Sequence, residues 1–232
     1  MNPYTFILDS RIIDLADNYP WIIPIIDTFQ MDTDSSITVA EIAENKNINI
    51  ELLVEIITNA IVRGIPEYTI PTLNNGNSIN DTINYIITHH HLYLRTELPR
   101  LIKSTEKVIE KDSNSCNYLA ELLLFLQGFD IALVKHLNKE EIEVFPFITH
   151  TDYEVINDGL RQAILLMEFE HNHVSNALNH LSLITDNFTI ENGTNARMKE
   201  LIASLKMMAR TFDEHLNLEE QLIHDLIFSA EN

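Results

Sequence analysis

Two segments of the form His-Leu-Asn-x-Glu-Glu stand out, His136-Leu137-Asn138-Lys139-Glu140-Glu141 and His215-Leu216-Asn217-Leu218-Glu219-Glu220. On an α-helix, positions i and i+4 share a face, so each copy aims one imidazole and one carboxylate the same way. Nitrogen and oxygen donors so paired are metal ligands. One His-x-x-x-Glu pair by itself more often marks a solvated helix face. Here further histidines fall at matching distances, His91 lying 45 residues before His136 and His171 lying 44 before His215. The donor set thus repeats as a half-site, a histidine followed by His-x-x-x-Glu, and two facing halves could enclose two metal ions.

Four imidazoles and two carboxylates without a thiolate favour iron or manganese over a structural zinc site, although imidazole-rich sites also accept zinc. If Glu140 and Glu219 each bridge two ions, every ion holds two histidines and two carboxylate oxygens. A solvent-derived bridge makes five ligands and leaves a sixth position for reactive chemistry. Glu141 and Glu220 compete for the bridging role, but i+4 stands about 40° from the histidine and i+5 about 140° away, which selects Glu140 and Glu219. In the run His89-His90-His91 one histidine is expected to point inward, and periodicity does not settle which. His150, His173, His180 and His224 read as surface residues or as residues behind the ligands.

Positioning such donors needs long helices. Four periodic segments, approximately 79–111, 115–148, 153–186 and 194–229, carry them. Leu119, Leu122, Leu126, Phe129, Leu133 and Leu137 recur at steps of three and four, the mark of a helix with one buried stripe. Breaks fall at residues 111–114, 149–152 and 187–193. Pro99 should kink or break the first segment and Pro146 should end the second. The reading is all-α, an antiparallel four-helix bundle over residues 79–232 with inward-facing ligands. A linker over 66–78, with Pro66, Pro71 and Asn74-Asn75-Gly76-Asn77, separates it from a small helical domain over 1–65. That domain shows amphipathic segments at 12–18, 21–29, 39–45 and 50–62, and Thr38 with Glu41 forms a capping box before the third.

Composition narrows the partners. The 232 residues include 35 acidic and 15 basic ones, a formal charge of −20, which repels phosphate backbones and anionic lipid surfaces. No nucleic acid and no membrane partner is expected. The single cysteine, Cys116, excludes an internal disulfide framework and suits a reducing compartment. Met1 to Ser10 lacks the basic start and apolar run of a signal peptide, and no apolar run approaches the roughly 20 residues of a membrane span. A cytoplasmic location is the expectation.

The string His90-His91-Leu92-Tyr93-Leu94-Arg95-Thr96-Glu97-Leu98-Pro99 and the later Met167-Glu168-Phe169-Glu170-His171, with both His-x-x-x-Glu pairs, resemble the RIC (repair of iron centres) family of di-iron proteins. The resemblance runs over nearly the whole chain. It implies a hemerythrin-like four-helix bundle holding two non-haem iron ions with oxo and carboxylate bridges. The histidine four positions before the Arg of the motif is His91, so the implied ligands are His91, His136, Glu140, His171, His215 and Glu219. Glu170 is a candidate to orient a ligand imidazole.

The resemblance also implies a cytoplasmic stress-response role, repairing iron–sulfur clusters damaged by nitric oxide or hydrogen peroxide. Damaged iron–sulfur proteins and nitric oxide or oxygen species would be the partners. The family's N-terminal domain usually carries a Cys-Cys pair after a Met-Asp turn, whereas here Met31-Asp32-Thr33 is followed by Asp34-Ser35. Asp112 stands where the family often has a histidine. Alternative functions are a nitric oxide or dioxygen carrier or sensor, a di-iron nitric oxide reductase, and a purely structural bundle. Hemerythrin carriers use His-x-x-x-His on the third helix, and here Ser175 follows His171 at i+4. Whether the protein is an enzyme, and its oligomeric state, a homodimer included, stay open.

Overall fold

In the computed structural model of the chain, residues 3–63, 78–111, 116–150, 158–191 and 194–230 are described. The expected linker at 66–78 falls outside them except for Ser78, as do the breaks at 112–114 and 151–152. So do the side chains of Cys116 and His150. Among the described residues all regular structure is helical, with one isolated bridge between Arg11 and Thr38. No helix among them is long and apolar enough to cross a membrane. The chain divides into two compact units, residues 1–69 with 190–203, and residues 70–189 with 204–232.

The first unit contains α1 (Pro3–Asp9), α2 (Ile12–Asn18), a 3₁₀ turn (Pro20–Ile22), α3 (Ile23–Thr28), α4 (Val39–Asn45) and α5 (Ile50–Arg63). Its core gathers Ile12, Leu15, Ile22, Ile26, Val39 and Ile57. The capping box at α4 is present, with the Thr38 hydroxyl accepting from the Glu41 backbone at 3.2 Å and the Glu41 carboxylate accepting from the Thr38 backbone at 2.8 Å. Asp34 and Ser35 lie in the turn between α3 and α4. There the Asp34 backbone N–H donates to the Asp32 carboxylate at 3.3 Å and the Ser35 carbonyl accepts from Ile13 at 3.0 Å. The sequence reading did not include α1, a helix of 7 residues at Pro3–Asp9.

The second unit carries four long helical runs. The first is α6 (Ile79–Tyr85), a π-helical turn (Ile86–His91) and α7 (Leu92–Lys111). The second is α8 (Cys116–Lys139), a second π-helical turn (Glu140–Val144) and α9 (Phe145–His150). The third is α10 (Asp158–Ile184) and the fourth α11 (Ala196–Ala230), whose first residues belong to the other unit. The stripe read from periodicity, Leu119, Leu122, Leu126, Phe129, Leu133 and Leu137, is buried. Each such side chain contributes about 1.5–3 kcal/mol relative to exposure.

Three sequence expectations are corrected. Pro99 does not break its helix, since α7 runs through it to Lys111. Burial of Leu94, Leu98, Leu101 and Val108 on either side offsets a proline cost of about 3 kcal/mol. Pro146 does not end the second segment either, because α9 continues to His150. The π turn has already shifted the backbone ladder, with the Phe145 N–H bonded to the Glu140 carbonyl, so the missing proline N–H falls where the α-helical register is interrupted. Finally, two residues of the His89-His90-His91 run face inward, since His90 and His91 are both buried. A π turn, with its i to i+5 bonding, separates successive side chains by a smaller angle than an α turn, so two neighbours share the inner face.

Candidate metal centre

Both π turns sit at the inner face where the expected donors meet. His91 ends the first and Glu140 opens the second, His136 comes from α8, His171 from α10, and His215 with Glu219 from α11. All six are buried, His91 and Glu140 at 1% exposure and His215 and Glu219 at 0%. Their donor atoms form two overlapping sets, His91, Glu140, His215, Glu219 and His136, Glu140, His171, Glu219. Within each set all donor atoms lie within 4.8 Å of one another. Glu140 and Glu219 belong to both sets, and Glu220 is exposed.

The inner nitrogens approach the carboxylates closely. His136 Nε2 lies 3.0 Å from Glu140 Oε1, His171 Nε2 lies 3.0 Å from Glu219 Oε2, and His215 Nε2 lies 3.4 Å from the same oxygen. His91 Nε2 is 3.5 Å from Glu140 Oε2. Yet both oxygens of Glu140 and of Glu219, and the Nε2 atoms of all four histidines, are buried without a hydrogen-bond partner. Buried polar atoms are almost always satisfied, so a cluster of orphaned lone pairs converging from four helices fits a bound cation. Metal coordination would satisfy these atoms together.

Electrostatics agree with that fit. Burial, followed by the charge of Glu219, holds the Glu140 carboxyl well above the usual carboxylate range. A cation between the two would reverse this. Burial pushes the His215 imidazole well below its ordinary value, with His91 and His136 adding in the same direction. His91 and His136 are lowered by burial as well, against opposing contributions from Glu141 at the first and Glu219 and Glu170 at the second. Neutral imidazole is the form that binds metal.

Behind two of these histidines stand carboxylates. Glu141 accepts from His91 Nδ1–H at 2.7 Å and from the Arg95 guanidinium at 3.0 Å, and Arg95 also donates to Asn138 at 3.0 Å. Glu170 accepts from His136 Nδ1–H at 3.2 Å and from the Lys139 ammonium at 2.6 Å. Burial alone would raise both acids, but the hydrogen bonds from histidine and cation outweigh it and hold each below the usual carboxylate range. A carboxylate only accepts, so the imidazole proton sits on Nδ1 and the Nε2 lone pair faces the cluster.

Sequence reasoning singled out Glu170 as a candidate orienting acid, weighed Glu141 only as a competing bridge and His90 only as one of three histidines for a single inward place, and missed Arg95, Asn138 and Lys139 as parts of this neighbourhood. A basic residue one turn from His91 and another beside Glu140 were the available signal. His90 is fully buried with neither ring nitrogen hydrogen-bonded, 5.9 Å from the His215 ring, and burial pushes it down to about 4. It belongs to neither donor set. His173 and His180 are exposed against Phe169 and Phe125, and His224 is exposed.

Comparison with known proteins meets this geometry from another direction. The chain is 32% identical over 153 residues to the "Iron-sulfur cluster repair protein YtfE" of Musicola paradisiaca (strain Ech703), a match covering 62% of this chain and 64% of that protein. It is 26% identical over 142 residues to the "Iron-sulfur cluster repair protein DnrN" of Neisseria gonorrhoeae, covering 61% of this chain and 87% of the relative. Against the YtfE protein of Yersinia pseudotuberculosis (serotype O:1b, strain IP 31758) it is 28% identical over 149 residues, covering 62% and 64%. The match thus spans less than two thirds of the length of the two YtfE relatives. The signature of the "Hemerythrin HHE cation binding domain" matches residues 82–227, the stretch that holds all six converging donors. A metal-binding helical bundle of this kind is what the buried, partnerless cluster requires, and the chain belongs to the hemerythrin HHE cation binding domain family.

Proposed function

We propose that this chain holds two iron ions between His91, His136, Glu140, His171, His215 and Glu219 and uses them to repair iron–sulfur clusters damaged by nitrosative or oxidative stress. The observation that carries the reading is the pair of overlapping donor sets sharing Glu140 and Glu219, whose histidine Nε2 atoms and carboxylate oxygens are buried without a hydrogen-bond partner. The repair role rests on the likeness to proteins named for iron–sulfur cluster repair. Bound iron would supply redox chemistry and coordination positions for nitric oxide or an oxygen species. The chain's own part is to hold four imidazoles with Nε2 inward, to share two carboxylates between the positions, and to exclude bulk water. Damaged iron–sulfur proteins would be the clients, in the cytoplasm, with the 1–65 segment as a separate helical domain of different chemistry from a Cys-Cys module.

The test is iron content with optical and Mössbauer spectra of protein from iron-sufficient medium, followed by recovery of a nitric-oxide-damaged iron–sulfur enzyme. About two irons per chain and recovery that depends on the loaded protein are expected. Zinc alone or no metal would overturn the reading. Reversible gas binding without loss of iron or recovery of the client would favour a carrier or sensor, and nitrous oxide production under turnover a nitric oxide reductase.

A further inference from the structure

Each donor set contains one histidine backed by a carboxylate. In the first set, His91 and His215 with the shared acids, the backing acid is Glu141, tied to Arg95 of α7. In the second, His136 and His171 with the same acids, it is Glu170, tied to Lys139 of α8. The two backing acids share no partner among these contacts. Each is the chain neighbour of a converging donor, Glu141 of Glu140 and Glu170 of His171.

We infer that Glu141 and Glu170 are positioning residues that govern the two metal positions separately, Glu141 the one served by His91 and His215 and Glu170 the one served by His136 and His171. This rests on the paired-metal reading and goes beyond it by assigning an independent control to each ion. The carboxylate fixes the tautomer, turns the Nε2 lone pair inward and, through its charge, makes the ring a stronger donor. The cation behind it, Arg95 or Lys139, holds the carboxylate in place against the ring. His91 is further held by Phe145, whose ring stacks on it at 5.8 Å with 21° between planes. The Arg95 guanidinium, permanently charged and bonded to both Glu141 and Asn138, is a stiffer anchor than the single ammonium contact of Lys139. The position served by His91 is therefore the tighter one.

The experiment is an anaerobic ferrous titration of the full chain by calorimetry, with bound iron counted after gel filtration. Wild type should take up two equivalents; fewer would remove the paired-metal reading itself, before any variant is read. Glu141→Ala and Glu170→Ala should each leave one equivalent at wild-type affinity and weaken the other by roughly 10–100-fold. Glu141→Gln and Glu170→Gln, which keep an acceptor at the same place, should recover part of the loss and guard against misfolding, with helicity checked by circular dichroism. Adding His171→Ala assigns the positions. With Glu170→Ala it should leave one equivalent intact, and with Glu141→Ala it should weaken both. Single variants that weaken both equivalents alike or neither, or a Glu170→Ala/His171→Ala chain that weakens both, would overturn the assignment.

Discussion

Two carboxylates buried side by side are a liability until a cation joins them. Glu140 is held well above the usual carboxylate range by burial and by the charge of Glu219, and neither acid's oxygens have a hydrogen-bond partner. Such groups destabilise the metal-free chain by about 1–3 kcal/mol each, the stability–function trade-off common at binding sites. Glu140→Gln should therefore raise the melting temperature of the metal-free protein, at roughly 2–4 °C per kcal/mol for a chain of this size. The same change should abolish most of the stabilisation gained on adding iron. A variant whose melting temperature still rises with iron as the wild type's does would remove Glu140 from the donors. The spacing of His136 with Glu140 and of His215 with Glu219 made these four residues legible in sequence, because helical period converts a four-residue step into a shared direction.

At the scale of the element, the two π turns matter most. They place His91 and Glu140 at the cluster, and Glu141 behind His91, through a backbone register that α-helical arithmetic does not contain. That is why the reading of His89-His90-His91 allowed one inward residue and the structure has two. The first unit offers a plainer element to test. Thr38→Ala removes the cap of α4 and should cost about 1 kcal/mol, measured by denaturant unfolding. Glu41 is lowered from its model-peptide value of 4.5, chiefly by its bond from the Thr38 backbone and then the hydroxyl. Its folded pKa lies below the unfolded one, so its contribution is complete above about pH 4.5 and is lost as pH falls through the folded value. The acid sensitivity of α4 should accordingly shrink in Glu41→Gln. An unchanged acid limb, followed by hydrogen exchange of α4, would sever that link.

Across the whole molecule the chain does not divide at one point. Residues 190–203 join the first unit, and Arg197 reaches Asp27 with two bonds of 2.9 Å and Thr33 with one of 3.4 Å. Arg197 is buried, so removing its partner strands a charge. Asp27→Ala should destabilise the first unit by about 3–5 kcal/mol. Thermal unfolding followed through Trp21, whose indole donates to the Ala60 carbonyl within that unit at 3.1 Å, reads this directly. A loss below about 0.5 kcal/mol would mean that the ion pair is structurally idle. No sequence pattern announces a bond between residues 170 positions apart.

Local periodicity by itself determined the all-helical class, the long segments, the buried stripe of α8 and the two His-x-x-x-Glu pairs. All of these follow from interactions within one or two turns. The capping box was legible for the same reason, since both its partners lie within four residues. Only the tertiary structure decided which histidines of the 89–91 run turn inward, that Glu141 and Glu170 stand behind His91 and His136, and that helices continue through Pro99 and Pro146. Those outcomes depend on contacts between helices, where packing overrides local preference.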